Sequence, residues 1–214
     1  MSRGKFITFE GGEGAGKSTQ VRRLAEALRA EGHSVVTTRE PGGAPGAEDI
    51  RKLLVEGEPG RWDPLTEAIL HFAARREHLA RTVLPALDRG DWVISDRFAD
   101  STMAYQAYGQ GVPAEKIAAL YREIVGDLRP DLTIVLDLPP EQGLHRAGTR
   151  AAEATRYEQM DIAFHNKIRE AFLDIARREP ARCVVISTSA APEEVAATVL
   201  ETVRTRLSLA AKAP

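Results

Sequence analysis

Residues Gly11-Gly12-Glu13-Gly14-Ala15-Gly16-Lys17-Ser18 match the phosphate-binding loop G-x-x-x-x-G-K-[ST], and no other stretch restricts the fold as tightly. Lys5 to Glu10 before the loop reads as a buried strand, and Thr19 to Glu31 after it carries Val21, Leu24, Ala25 and Leu28 at helical spacing. In that order, strand, loop and helix aim several backbone N–H groups and the positive end of a helix dipole at one point, which suits a polyphosphate. Lys17 would reach the β- and γ-phosphates, and the Ser18 hydroxyl would hold Mg²⁺. Gly11, Gly12, Glu13, Gly14, Ala15, Gly16 and Thr19 complete the cradle. The motif in this context implies binding of ATP or GTP.

The remaining composition narrows the partners. With 214 residues, 43% of them hydrophobic, the chain can bury one sizeable core, so one domain over 1–214 is expected. A formal charge of −2 argues against nucleic acid as a bulk electrostatic partner, so anions must be met by placed arginines. No apolar run approaches the roughly 18 residues of a membrane span, and no signal-peptide pattern precedes the first strand. Cys183 is the only cysteine, which excludes a disulfide framework and a thiolate metal cluster. A cytoplasmic protein is expected.

Strand-like runs at 5–10, 34–38, 92–95, 132–136 and 183–186 alternate with helical patterns at 17–31, 46–56, 64–88, 101–108, 114–127, 140–147, 158–178 and 192–208. Asp63-Pro64 is a helix start signal, and Pro85 is expected to kink its helix or end it early. The fold class that follows is α/β, a five-stranded parallel sheet with helices on both faces. Ligands of such sheets bind beyond the carboxyl ends of the strands, so the loops after residues 9, 38, 95 and 137 should line the site.

Those loops carry polar residues. Thr38-Arg39-Glu40-Pro41-Gly42-Gly43 forms a corner facing the phosphate loop, and Arg51 would join Arg39 around a second anion. Asp96 ends an apolar strand where a nucleotide enzyme holds Mg²⁺ or its waters, and Arg97 beside it would neutralise a phosphate bidentately. Asp137 competes for the metal-side role; Asp96 is preferred for its neighbour Arg97. Asp100-Ser101-Thr102-Met103-Ala104-Tyr105-Gln106 offers hydroxyls, an aromatic ring and an amide that can read a base and crowd a sugar. On the helix before it, either His71 with Arg75 or Phe72 with Arg76 would stack on and hydrogen-bond a base. Arg146, Arg150 and Arg156 flank a small-residue stretch expected to form a lid at about 146–157, bringing positive charge over a transferring phosphoryl group.

Phe9-Glu10-Gly11 through Thr19, Thr38-Arg39-Glu40-Pro41-Gly42-Gly43, Ser95-Asp96-Arg97-Phe98, Ser101 through Gln106, and Arg129-Pro130-Asp131-Leu132-Thr133 leading to Asp137 together resemble the thymidylate kinase family over essentially the whole chain. The resemblance implies the fold of nucleoside monophosphate kinases, transfer of the ATP γ-phosphoryl group to dTMP with Mg²⁺, and a homodimer. It implies that Arg39, Arg51 and Arg97 hold the dTMP phosphate, and that Arg75, Thr102 and Gln106 contact thymine with Ser101 nearby. Tyr105 would sit where a 2′-hydroxyl would clash. Glu13 would lie near the acceptor sugar and the metal. Gly14 after Glu13 is similar to the bacterial subtype whose catalytic arginine is in the lid, here Arg150, with Arg146 on the ATP side and Arg156 on the dTMP side. Two positions depart from the family pattern: His71 stands where phenylalanine is usual, with Phe72 one step later, and Phe98 stands where tyrosine is commoner. The rivals are a kinase for another nucleoside monophosphate or a deoxynucleoside, and a P-loop switch or partition ATPase. Against the switch, Asn166-Lys167-Ile168-Arg169 fails the guanine-reading N-K-x-D pattern at its last place.

Overall fold

The computed structural model describes residues 3–148 and 156–208. Five parallel strands form the sheet: β1 (Phe6–Glu10), β2 (Val35–Arg39), β3 (Trp92–Asp96), β4 (Leu132–Asp137) and β5 (Cys183–Ser187), in the order β2-β3-β1-β4-β5. Alternation along the strands sorts side chains to two faces. Ile7 and Phe9 of β1, Ile94 of β3 and Leu132, Ile134 and Leu136 of β4 pack with Leu24 and Leu28 of α1 (Lys17–Ala30) and Val195, Val199 and Val203 of α9 (Pro192–Arg206). Phe6 and Val93 face the other way, onto Leu79, Val83 and Leu87. Val135 does likewise, onto Phe164, Ile168 and Phe172 of α8 (Ile162–Arg178). Both faces are thus buried, which is why these strands read as continuous apolar runs.

The register aligns the strand ends that carry chemistry. Phe9 and Arg39 both sit beside Asp96, and Asp137 beside Ser187. The chain leaves β1 toward the β2 edge and later leaves β3 across β1 toward β4, so the loop after β1 opens at the crevice where connections diverge.

Two helices differ from the expected pattern, both through π-helical turns. The expected helix 64–88 is α3 (Pro64–His78), a π-helical turn at Leu79–Val83, then α4 (Leu84–Asp88). Asp63 caps its start, accepting from the backbone N–H groups of Leu65 and Thr66 at 3.0 Å each. Pro85 neither ends nor interrupts the run; the Leu84 N–H bonds to the Leu79 carbonyl five residues back, and the wider turn accommodates the ring. The expected helix 101–108 starts earlier, as α5 (Ala99–Thr102), and continues π-helically over Met103–Gly109. The helices α2 (Pro45–Val55), α6 (Ala114–Ile124) and α7 (Pro140–Gly148) fall near their expected places. The expected start of α8 at residue 158 moves to Ile162, because Asp161 turns its carboxylate onto the Phe164 N–H at 2.7 Å and caps the helix there.

Candidate active site

The phosphate loop is shaped by close backbone approach. Gly14 has φ +67°, and a Cβ there would lie 1.9 Å from the Gly143 carbonyl oxygen of α7. Residues Glu13 to Gln20 line a cavity at the carboxyl edge of the sheet, with Arg39, Arg51, Asp96, Arg97, Arg146 and Glu158 around it. Lys17 folds back over the loop, its Nζ donating to the Gly11 carbonyl at 3.1 Å and the Gly12 carbonyl at 2.7 Å. Burial and the Arg97 guanidinium push its ammonium down to about 8, against the pull of Glu13 and Asp96. Arg146, in the last turn of α7, donates to the Thr188 carbonyl at 3.2 Å.

Asp96 and Asp137 are told apart by their surroundings. Asp137 is gripped by Arg169 of α8 through two bonds, Nε to Oδ1 at 2.7 Å and Nη2 to Oδ2 at 3.0 Å. Asp96 lines the cavity together with Ser18. Among the described residues no group of three or more His, Cys, Asp or Glu side chains is placed to hold a metal. A divalent ion would therefore rest on few protein oxygens plus nucleotide phosphates, the habit of Mg²⁺, and Ser18 with Asp96 fits that donor set.

A second cavity lies beside the first and shares Glu13, Glu40, Arg51 and Arg97 with it. Arg97 adopts φ +70°, off the end of β3. Its Nη1 donates to the Gly11 carbonyl (3.0 Å) and Ser101 Oγ (3.1 Å), and its Nη2 to Glu13 Oε1 (2.8 Å) and the Tyr105 hydroxyl (3.1 Å). Those four bonds use all four Nη hydrogens, turning onto the protein the fork that was expected from sequence to grip a phosphate. Burial would raise the Glu13 carboxyl, but Arg97 and Lys17 hold it down to about 2, so it stays ionised. Arg51 donates to the Pro41 carbonyl at 2.8 Å, and Arg39 pairs with Glu48 at 3.1 Å. Burial and then Arg39 push Arg51 down, against the pull of Glu48 and Asp96. Glu10, fully buried, accepts from the Phe98 N–H at 2.8 Å and from Ser101 at 2.5 Å, and burial with Asp100 nearby raises it to about 8.

The far wall of this cavity comes from α3 and the π-helical stretch after α5. Of the two alternatives on α3, the structure presents His71 and Arg75. Phe72 is 0% exposed and packs into an apolar cluster with Ala68, Ala107, Val112 and Ile117, which removes it from the candidate binding wall; Arg76 points to solvent. The reason is helical phase: Phe72 lies one step around from His71 and faces the core. Arg75, 2% exposed, gives Nε to Glu40 at 2.7 Å and Nη2 to Thr102 at 3.1 Å, and Glu40 also meets His78 at 2.9 Å. Burial, with Arg75 and Arg156 nearby, pushes His71 down to about 3, so its ring is neutral. Phe98 packs edge-on against Phe6, its rings 5.0 Å apart, and lines the cavity as an apolar surface.

One lid residue, Arg156, is placed otherwise than expected. Arg156 is 3% exposed, donating to the Leu54 carbonyl at 2.9 Å and to Glu67 at 2.5 Å, and it lines neither cavity. It is a buried anchor at the end of the segment, because Glu67 beneath it needs a countercharge. Arg150 lies outside the described residues. The sequence placed Glu40 only in the corner facing the phosphate loop, and assigned no role to Glu67 or Tyr157. The signal for Glu67 was its spacing: 67, 71 and 75 recur every four residues and share a helix face.

Among the described residues, two buried side-chain atoms on the base-sized cavity have no hydrogen-bond partner: Arg75 Nη1, a donor, and Gln106 Oε1, an acceptor. A family model described as thymidylate kinase matches residues 9–199. A thymidylate kinase of Caulobacter vibrioides is 55% identical, with 98% of this chain and 100% of that protein covered. One of Dinoroseobacter shibae is 52% identical over 92% and 95%. The crystal structure of a thymidylate kinase from Ehrlichia chaffeensis superposes with a TM-score of 0.78 at 35% identity, covering 94% of this chain and 99% of that one.

Proposed function

The chain belongs to the thymidylate kinase family, and from that premise we propose how its side chains share the work. The reaction is ATP-dependent phosphorylation of dTMP to dTDP. Two cavities meet at Glu13, Arg51 and Arg97, one cradling polyphosphate and one offering a donor beside an acceptor to a base. That junction is the observation that carries the reading, since it is where the γ-phosphoryl group and the acceptor phosphate would face each other.

Phosphoryl transfer has a loose transition state, so the protein's tasks are alignment and charge neutralisation. Lys17 leaves the loop carbonyls for the β- and γ-phosphates, and Arg146 adds charge on the ATP side. Ser18 and Asp96 would hold Mg²⁺ directly or through water, and the ion would screen the phosphate charge. Arg39 and Arg51 bind the dTMP phosphate, while Arg97 contributes fixed positive charge at the junction. Glu13 faces the acceptor sugar, and Tyr105, bonded to it at 2.8 Å, fills the space a 2′-hydroxyl would need. The acceptor phosphate is already ionised near neutral pH, so no general base is required. Arg75 Nη1 gives a hydrogen bond to thymine O4 and Gln106 Oε1 takes one from N3–H, with His71 stacked against the ring in place of the usual phenylalanine. Cytosine presents the reverse polarity at both positions. A coupled assay with MgATP across dTMP, dUMP, dCMP, AMP, GMP and thymidine tests this; dTMP should be the preferred acceptor, and preference for any purine nucleotide would overturn it.

The working assembly in this reading is a homodimer acting in the cytoplasm. Family membership supports the first, and light scattering after gel filtration checks it. Among the described residues no helix is long and apolar enough to cross a membrane, which is compatible with the second.

A further inference from the structure

We propose that Glu67 is the positioning residue that sets base specificity, by dictating which way its neighbours present donors and acceptors to the cavity. This rests on the base-binding role given above to Arg75 and Gln106. Glu67, in the first turn of α3, is 1% exposed. Paired with the Arg156 guanidinium, it presents a carboxylate, which accepts hydrogen bonds and donates none. Its Oε1 receives Gln106 Nε2 at 2.8 Å, Gln110 Nε2 at 2.8 Å and the Tyr157 hydroxyl at 2.9 Å.

Each neighbour is thereby committed. A reversed Gln106 amide would put two acceptor oxygens at hydrogen-bond distance with no proton between them, so Oε1 must turn away from Glu67. It does, and among the described residues it is a buried acceptor without a partner on this cavity. Tyr157 gives its one proton to Glu67 and so accepts from His71 Nε2, 2.9 Å away. That fixes the His71 tautomer with its proton on Nε2 and leaves Nδ1 bare. Arg75 can only donate, and its Nη1 is the buried donor without a partner. Arg75 donates whatever its neighbours, but the polarity that Gln106 and His71 present follows from one carboxylate that itself lies behind them.

An amide at position 67 has both a donor and an acceptor end and would let Gln106 turn over. In Glu67→Gln, the preference for dTMP over dCMP in kcat/KM should fall by about 10- to 100-fold. The fall should come through KM, with kcat for dTMP changed by less than about threefold. A merely structural role would lower both acceptors alike and leave the ratio unchanged, and that result would overturn the proposal. Because Glu67→Gln leaves Arg156 buried without a countercharge, the double variant Glu67→Gln/Arg156→Met provides the same test without that strain.

A measurement on the unsubstituted protein needs neither variant. The Gln106 side-chain amide protons, assigned by NMR, should be protected from exchange before dTMP is added and stay on Glu67, still protected, after it binds. Amide protons that instead move and contact the thymine would overturn the proposal. If the unsubstituted protein phosphorylates dTMP but the ratio does not move in the variants, only the role of Glu67 is lost. Failure of the unsubstituted protein to prefer dTMP would overturn the base-site reading as well.

Discussion

Lys17 gives the sharpest single-residue test. In the free protein its ammonium titrates near 8, depressed by burial and by Arg97. ATP phosphates stabilise the charged form, so binding must raise that value. Above pH 8 the free side chain is mostly neutral and must take up a proton when ATP binds; below pH 7 it is already charged and takes up none. Calorimetric titration at pH 8.5 in buffers of different ionisation enthalpy should show net proton uptake approaching one per ATP, absent in Lys17→Met. Two arginines separate binding from turnover. Arg97→Ala should raise KM for dTMP by about tenfold or more, since it removes a buried charge next to the acceptor and leaves Glu13 unpaired. Arg150→Ala should lower kcat by about 10³-fold with little change in dTMP affinity, the signature of an arginine acting on the transition state. Stopped-flow kinetics with equilibrium binding distinguishes the two. At this scale the sequence was informative wherever a residue's role is set by its neighbours in the chain, as in Lys17 and Ser18. It was silent on Glu67, whose partners Gln106 and Tyr157 come from elements 39 and 90 residues away.

At the scale of elements, α7 seats the phosphate loop through two glycines. A Cβ on Gly143 would lie 2.2 Å from the Glu13 carbonyl oxygen, which cannot move without reshaping the loop. Gly143→Ala should therefore raise KM for ATP by about tenfold, equivalent to about 1.4 kcal/mol, while dTMP binding and the unfolding midpoint change little. Initial-rate kinetics with each substrate varied in turn checks this. Strands were legible to within a residue or two, because apolar runs between turn residues leave few alternatives. The π-helical turns were not legible. The one at Leu79–Val83 accommodates Pro85, and the one at Met103–Gly109 puts the adjacent residues Tyr105 and Gln106 on one cavity. The Asp161 cap was present in the sequence as Asp161-Ile162-Ala163-Phe164, yet the helical pattern upstream of it concealed the boundary.

For the molecule as a whole, the two cavities are lined by elements far apart in the chain, so ligands held there should tighten the entire fold. We propose that the sheet and its two helical layers unfold as one cooperative unit. Saturation at 100 times Kd stabilises a folded protein by about 2.7 kcal/mol, which in a chain this long should raise Tm by about 5–10 °C. Differential scanning calorimetry with dTMP should show a single transition displaced by that amount. Removing Mg²⁺ with a chelator should reverse most of the shift produced by ATP and little of that produced by dTMP. The sequence by itself determined the phosphate loop, the parallel α/β sheet and which strand ends bear charge, because these depend on local spacing and on the burial of both sheet faces. Only the tertiary structure decided that His71 rather than Phe72 lines the second cavity, that Arg156 is an anchor, that Asp137 is held by Arg169, and that Arg97 spends its donors on the protein. Those outcomes depend on helix phase and on which distant partner each buried charge meets, and a linear pattern encodes neither.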